Sequence, residues 1–217
     1  MSRAASLAAG WFFAVLRDRR GSIALETALI FPIAVLILLG FSELYFYART
    51  VAIIERVAFS TANMVAKRAT LYDCAKTTDS GYLGTHLLAA KTMAQPLDLE
   101  SNGMVILSAV TDPGDGDVIS WQRRSSYTID GVTSTIGGQG GAPSLPAGLD
   151  VKTVTGTQGD TLIVAEVVYR FRPFSGVRSM LPDLPGEVTV LRRAFARARW
   201  GNIGTLGDVS GCTGLKS

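Results

Sequence analysis

Histidine and cysteine are almost missing from this 217-residue chain, which holds one histidine, His86, and two cysteines, Cys74 and Cys212. A zinc site draws on about four ligands at characteristic spacing, and that supply is absent. No G-x-S-x-G elbow and no paired metal ligands are present either, so nothing points to an enzyme, a metal or a cofactor. Charge is scarce too, at 18% of residues, against about 25% in ordinary soluble domains. A hydrophobic content of 47% and a mean hydropathy of +0.28 exclude disorder for most of the chain. The length suits one domain, or one modest domain with an appendage.

The net charge of +3 and the pI near 9.0 would ordinarily suggest nucleic acid. The surplus is local, however. Arg3, Arg17, Arg19 and Arg20 against Asp18 account for all of it, and residues 22–217 hold 17 basic and 17 acidic side chains. A basic nucleic-acid-binding domain is therefore excluded. The apolar excess is local as well. Residues 28–41, ALIFPIAVLILLGF, carry no charge, and residues 22–42 are interrupted only by Glu26 and Thr27. As a helix that stretch would be ~31 Å long, enough for a hydrocarbon core of ~30 Å. The arginines just before it predict an N-terminus on the cytoplasmic side. After the run come Ser42-Glu43-Leu44-Tyr45-Phe46-Tyr47, with no small-residue cleavage site, so the helix is expected to stay attached.

Glu26 does not fit a plain anchor. A carboxylate costs about 2.5–3.5 kcal/mol at mid-bilayer and less near an end. Either it reaches back to headgroups or to Arg19 and Arg20, or a specific positive partner awaits it. Its spacing favours the partner: Arg19-Arg20-Gly21 is followed by Ser22-Ile23-Ala24-Leu25-Glu26 and then the apolar run. This order resembles the processing site of type IV prepilins, which implies cleavage between Gly21 and Ser22 by a membrane prepilin peptidase. Glycine suits a tight protease cleft because it has no Cβ. Cleavage would create an α-amine at Ser22 that a neighbouring subunit's Glu26 could pair with in a low-dielectric setting, registering the two subunits.

The longer stretch RRGSIALETALIFPI, with Pro32 six residues after Glu26, resembles the TadE-like minor pseudopilins of the tight adherence (Flp pilus) system. The match is strongest over residues 21–59, with looser similarity at residues 121–124 and 167–174. It implies a role in assembling or priming a pilus. The implied partners are other pilins and pseudopilins, the prepilin peptidase, the inner-membrane assembly platform and membrane lipid. It also implies adhesion or secretion as the output.

Beyond the run the helical pattern continues. Val51, Ile54, Ala58, Thr61 and Val65 recur at three- and four-residue steps, opposite Arg49, Arg56, Ser60, Asn63 and Lys67. Pro32 is expected to kink the helix or locally open its hydrogen bonding. A short helix is expected over residues 82–95, with His86 in it as an ordinary surface or partly packed residue without a catalytic role. Strands are expected over residues 104–110, 118–124, 161–171 and 187–200, with Pro182 and Pro185 between the last two. Asp112 to Asp117 reads as a hairpin turn, since an EF-hand would need a glutamate where Arg123 stands. Residues 131–148 read as a long Gly-rich loop without the lysine of a P-loop. Arg193, Arg197 and Arg199 read as one polar sheet face, with Glu166 as a cross-strand partner.

The expected fold is therefore α+β: a long pilin-like N-terminal helix packed on a small antiparallel sheet. Residues 1–21 form a cytoplasmic basic leader and 22–42 a transmembrane helix. Residues 43–70 continue that helix in the periplasm, and 71–217 form a periplasmic α+β domain. In an oxidising compartment Cys74 and Cys212 could bond, with free thiols or an intermolecular bond as alternatives. The competing functional reading is a single-pass membrane-anchored binding or sensory protein of the bacterial inner membrane that never assembles, which leaves the Gly21–Glu26 spacing a coincidence.

Overall fold

A computed structural model describes residues 19–151, 160–174, 186–199 and 203–217, and the side chains of residues 19–22 are outside that description. The architecture is α+β. Helix α1 (Arg19–Ala66) is followed by α2 (Leu83–Met93), the short α3 (Leu99–Asn102), then β1 (Gly103–Thr111), β2 (Val118–Arg124), β3 (Thr161–Phe171) and β4 (Val188–Arg197). The strands form one antiparallel sheet in the order β2-β1-β3-β4. Two compact units divide the chain, Met1–Phe46 and Tyr47–Ser217.

In the second unit the periodic face of α1 does what its spacing demands. Ile54, Val57, Ala58, Thr61, Ala62 and Val65 are buried, while Arg49, Arg56 and Lys67 are exposed. The apolar members of that face join a core with Val105, Leu107 and Ala109 of β1 and Ile163, Ala165 and Val167 of β3. Successive strand residues point to opposite faces, so these are one face of the sheet. The helix ends where its last carbonyls find other donors: Arg68 N–H bonds to Val65 O at 3.1 Å and Arg199 N–H to Ala66 O at 2.8 Å.

The other face of the sheet is buried too. Val110, Ile119, Leu162 and Val164 pack with Ile136 and Val151, and Met104, Ile106 and Val168 pack with Ile129. The segment after β2, expected as a long loop, thus also covers part of the sheet through Ile129, Ile136 and Val151. Its fastening is Glu166, which is fully buried in mid-β3. The register sets Glu166 opposite Arg193. Its carboxylate, however, accepts from Thr135 N–H at 3.0 Å and from the Ser134 and Thr135 hydroxyls. The expected pairing with the β4 arginines is therefore corrected: nearby loop donors satisfy the carboxylate without desolvating a guanidinium. Arg197 instead pairs with Asp160 at 2.8 Å.

Strands β2 and β3 have the expected bounds, while β4 is shorter than residues 187–200 at both described ends. Pro182, Pro185 and Trp200 lie outside the described residues. The β1–β2 connection is a hairpin turn, and Asp112 Oδ1 accepts from Gly114 N–H at 2.8 Å and Gly116 N–H at 3.3 Å. Both glycines have φ near +120°, a region that side-chain-bearing residues avoid.

Candidate functional site

Two places carry the features that set this chain apart. The first is the N-terminal half of α1. Residues 1–18, including Arg3, Arg17 and Asp18, lie outside the described residues. Gly21 and Ser22 have helical backbone, so the expected processing point falls within the first turn of α1. Ala, Leu and Ile dominate the stretch that follows, and no glycine interrupts it until Gly40. Pro32 supplies no N–H for the Ala28 carbonyl, yet the helical assignment runs through it unbroken.

None of the described residues covers this half. Leu25 is 76% exposed, Leu29 70%, Leu36 66% and Phe41 68%, while Val35 and Leu39 are half-buried. Each such side chain gains about 1.5–3 kcal/mol on leaving water. Glu26, also exposed, costs about 2.5–3.5 kcal/mol even at mid-bilayer. Two apolar neighbours offset it. The remaining polar groups look inward to the backbone: Thr27 Oγ1 donates to Ile23 O at 2.9 Å and Ser42 Oγ to Leu38 O at 2.7 Å. The helix from Ile23 is long and apolar enough to cross a membrane. Glu26 has no ion-pair partner among the described residues.

The second place is the stitched end of the domain. Cys74 and Cys212 form a disulfide with Cα atoms 5.4 Å apart, across 138 residues of sequence. Around it the C-terminal tail is held like an extra strap. Ala75 N–H bonds to Thr213 O at 3.0 Å, Leu215 N–H to Asp73 Oδ1 at 2.8 Å and Arg124 N–H to Lys216 O at 2.9 Å. Arg123 Nε donates to Asp73 Oδ2 at 2.6 Å. The same 72–74 backbone caps α2, since Tyr72 O and Cys74 O accept from Leu83 and Gly84 N–H at 3.2 and 2.9 Å. Gly84 is required there: a Cβ would stand 2.4 Å from Ala75 O.

His86 is a correction to the sequence reading. It is 3% exposed, because α2 turns this position into the core with Leu83, Leu87 and Ala90. Burial, helped by the nearby Arg68 cation and opposed by a hydrogen bond to the Ser80 backbone, lowers its pKa to about 4. Its Nε2 has no hydrogen-bond partner among the described residues. Tyr127 is pushed up to about 12, chiefly by burial, with the Glu100 carboxylate adding to the effect. Asp98 is held below the usual carboxylate range by Ser101, whose hydroxyl and N–H both donate to it at the start of α3. Among the described residues no three acidic, histidine or cysteine side chains converge as a metal site.

Fold and site together define an α+β protein with one N-terminal helix able to cross a membrane and a disulfide-stitched domain after it. No family model matches this chain, and no curated protein or solved structure matches it either.

Proposed function

We infer that the chain is a minor pseudopilin of the tight adherence type, anchored in the bacterial inner membrane with its N-terminus cytoplasmic and its domain periplasmic. Prepilin peptidase trims it after Gly21, and the trimmed chain takes part in assembling or priming a Flp-like pilus. The observation that carries this reading is the placement of Gly21, Ser22 and Glu26 at the start of one unbroken helix whose first half is largely apolar and mostly exposed. A plain anchor has no use for a carboxylate five residues after a glycine and a basic pair.

Two further features support it. The Cys74–Cys212 bond suits an oxidising compartment such as the periplasm. An exposed Glu26 with no ion-pair partner among the described residues can meet the new α-amine of a neighbouring subunit, where the low dielectric strengthens the attraction. The other pilins, the pseudopilins and the assembly platform are the partners on this reading, and no cofactor or nucleic acid takes part.

Replacing Gly21 or Glu26 in cells that make the pilus is the test. The reading expects piliation to be lost with Gly21→Leu, which blocks processing, and with Glu26→Leu, which leaves processing intact. Normal piliation with either variant removes the pseudopilin reading in favour of a membrane-anchored binding or sensory protein.

A further inference from the structure

We propose that the outer edge of β4 accepts an added strand from another protein, an extended segment rich in carboxylates; this goes beyond the proposed function and does not rest on it. The ground is a contrast between the two edges of the sheet, β2 at one and β4 at the other. The chain closes the β2 edge itself. Ile119 N–H donates to Gly141 O at 3.0 Å, and Ile119 O accepts from Gly140 N–H at 2.8 Å. Gln122 N–H donates to the Gln139 side chain at 3.4 Å, and Arg124 N–H to Lys216 O at 2.9 Å.

The β4 edge has no such cover. Ala198 N–H donates to Thr161 O at 2.9 Å, which fixes the alternation along the strand. The backbone groups of Thr189, Leu191, Arg193, Phe195 and Arg197 therefore point away from β3. Among the described residues only Arg192 Nη1 bonds to any of them, donating to Leu191 O at 2.9 Å. The usual steric blunting is missing as well. β4 runs for 10 residues without proline and keeps its register with β3 without a bulge. The edge stops at Arg199, whose N–H bonds to Ala66 O. A straight ladder of outward donors and acceptors is what strand addition uses.

Charge selects the partner. Arg192, Arg193 and Arg197 lie along β4, and Asp160 answers only Arg197, at 2.8 Å. Arg193 is exposed and stands opposite Glu166, whose carboxylate is taken by Ser134 and Thr135. Its guanidinium lies 6.0 Å from the centre of the Phe195 ring, with no ion-pair partner among the described residues. Leu191, Arg193, Phe195 and Arg197 share one face of the sheet, with Leu191 and Phe195 half-buried. A strand laid beside them matches with apolar residues against Leu191 and Phe195 and carboxylates against Arg193 and Arg197. A second copy of this chain is the wrong partner, because its own β4 would bring arginines to arginines.

Fluorescence anisotropy tests this on the full chain in micelles of an uncharged detergent. The probe is a short labelled peptide with valine and glutamate alternating along one face and alanine on the other. One twin carries lysine in place of glutamate. A second twin keeps every side chain but has N-methyl groups on the residues that would donate to β4. Saturable binding of the acidic peptide is expected, weakened about tenfold or more by Arg193→Glu, with little binding by either twin. Arg193 is exposed, so the variant keeps the fold, and the N-methyl twin probes the ladder on the unaltered protein. Failure of the acidic peptide to bind overturns the proposal. Equal binding by the N-methyl twin also overturns it, since charge alone then suffices, and so do dimers of the full chain that exclude the peptide.

Discussion

Leu36 and Ile54 stand 18 residues apart in α1, five full turns, so they lie on the same face of one helix. Leu36 is 66% exposed and Ile54 is fully buried. Residue type does not separate them. What differs is the company each keeps. Around Ile54 the helix alternates buried Val57, Ala58 and Thr61 with exposed Arg49, Glu55 and Arg56, so it has one face for a sheet and one for water. Around Leu36 every direction is apolar, and no face can be given to water without loss. The first half therefore has a solvent other than water built into its composition, while the second half has a partner within its own chain.

The largest effect expected on the domain half comes from its stitch. Cys74→Ala with Cys212→Ala releases a loop of 138 residues, for which chain-entropy arguments give ~4–5 kcal/mol. Urea unfolding of the full chain in detergent, followed by tryptophan fluorescence, measures it. A matched pair sharpens the contrast within α1. Ile54→Ala should cost about 2–5 kcal/mol by cavity formation, whereas Leu36→Ala should shift domain unfolding by less than ~0.5 kcal/mol. Equal effects would mean that the two halves are one cooperative unit.

Acid should weaken the domain half selectively. The folded pKa of His86, about 4, lies below its ordinary 6.5, so the unfolded chain takes up a proton first. Stability is full above pH 6.5 and falls as the pH drops towards 4, by at most ~3 kcal/mol. A His86→Gln variant should show a shallower slope of unfolding midpoint against pH across that window. At the small end, Glu100→Gln breaks only the exposed ion pair with Lys91 and should cost less than ~1 kcal/mol in the same urea assay.

Local patterns carried the fold a long way. The span needed only an uninterrupted apolar run, and the packed half of α1 only the three- and four-residue spacing of Ile54, Ala58, Thr61 and Val65. The bounds of β2 and β3 were readable because alternation and turn residues are set by neighbours in sequence. Glu166 and His86 were not readable in the same way. Glu166 looks like a polar-face residue until Ser134 and Thr135, some 31 residues away, fold over it. His86 reads as a surface or partly packed residue, and only the seating of α2 on the core buries it fully. The strap of residues 213–217 against Asp73, Ala75 and Arg124 depends on contacts across most of the chain. Of the candidate site, the order Gly21, Ser22, Glu26, Pro32 was visible at once, because these residues are close neighbours in the sequence.

The proposed function turns on one covalent event, cleavage between Gly21 and Ser22. Intact mass of the membrane-extracted protein, from cells with and without the cognate prepilin peptidase, measures it directly. The account predicts a chain beginning at Ser22 when the peptidase is present and the longer chain when it is absent. A chain that keeps residues 1–21 in the presence of the peptidase would contradict it.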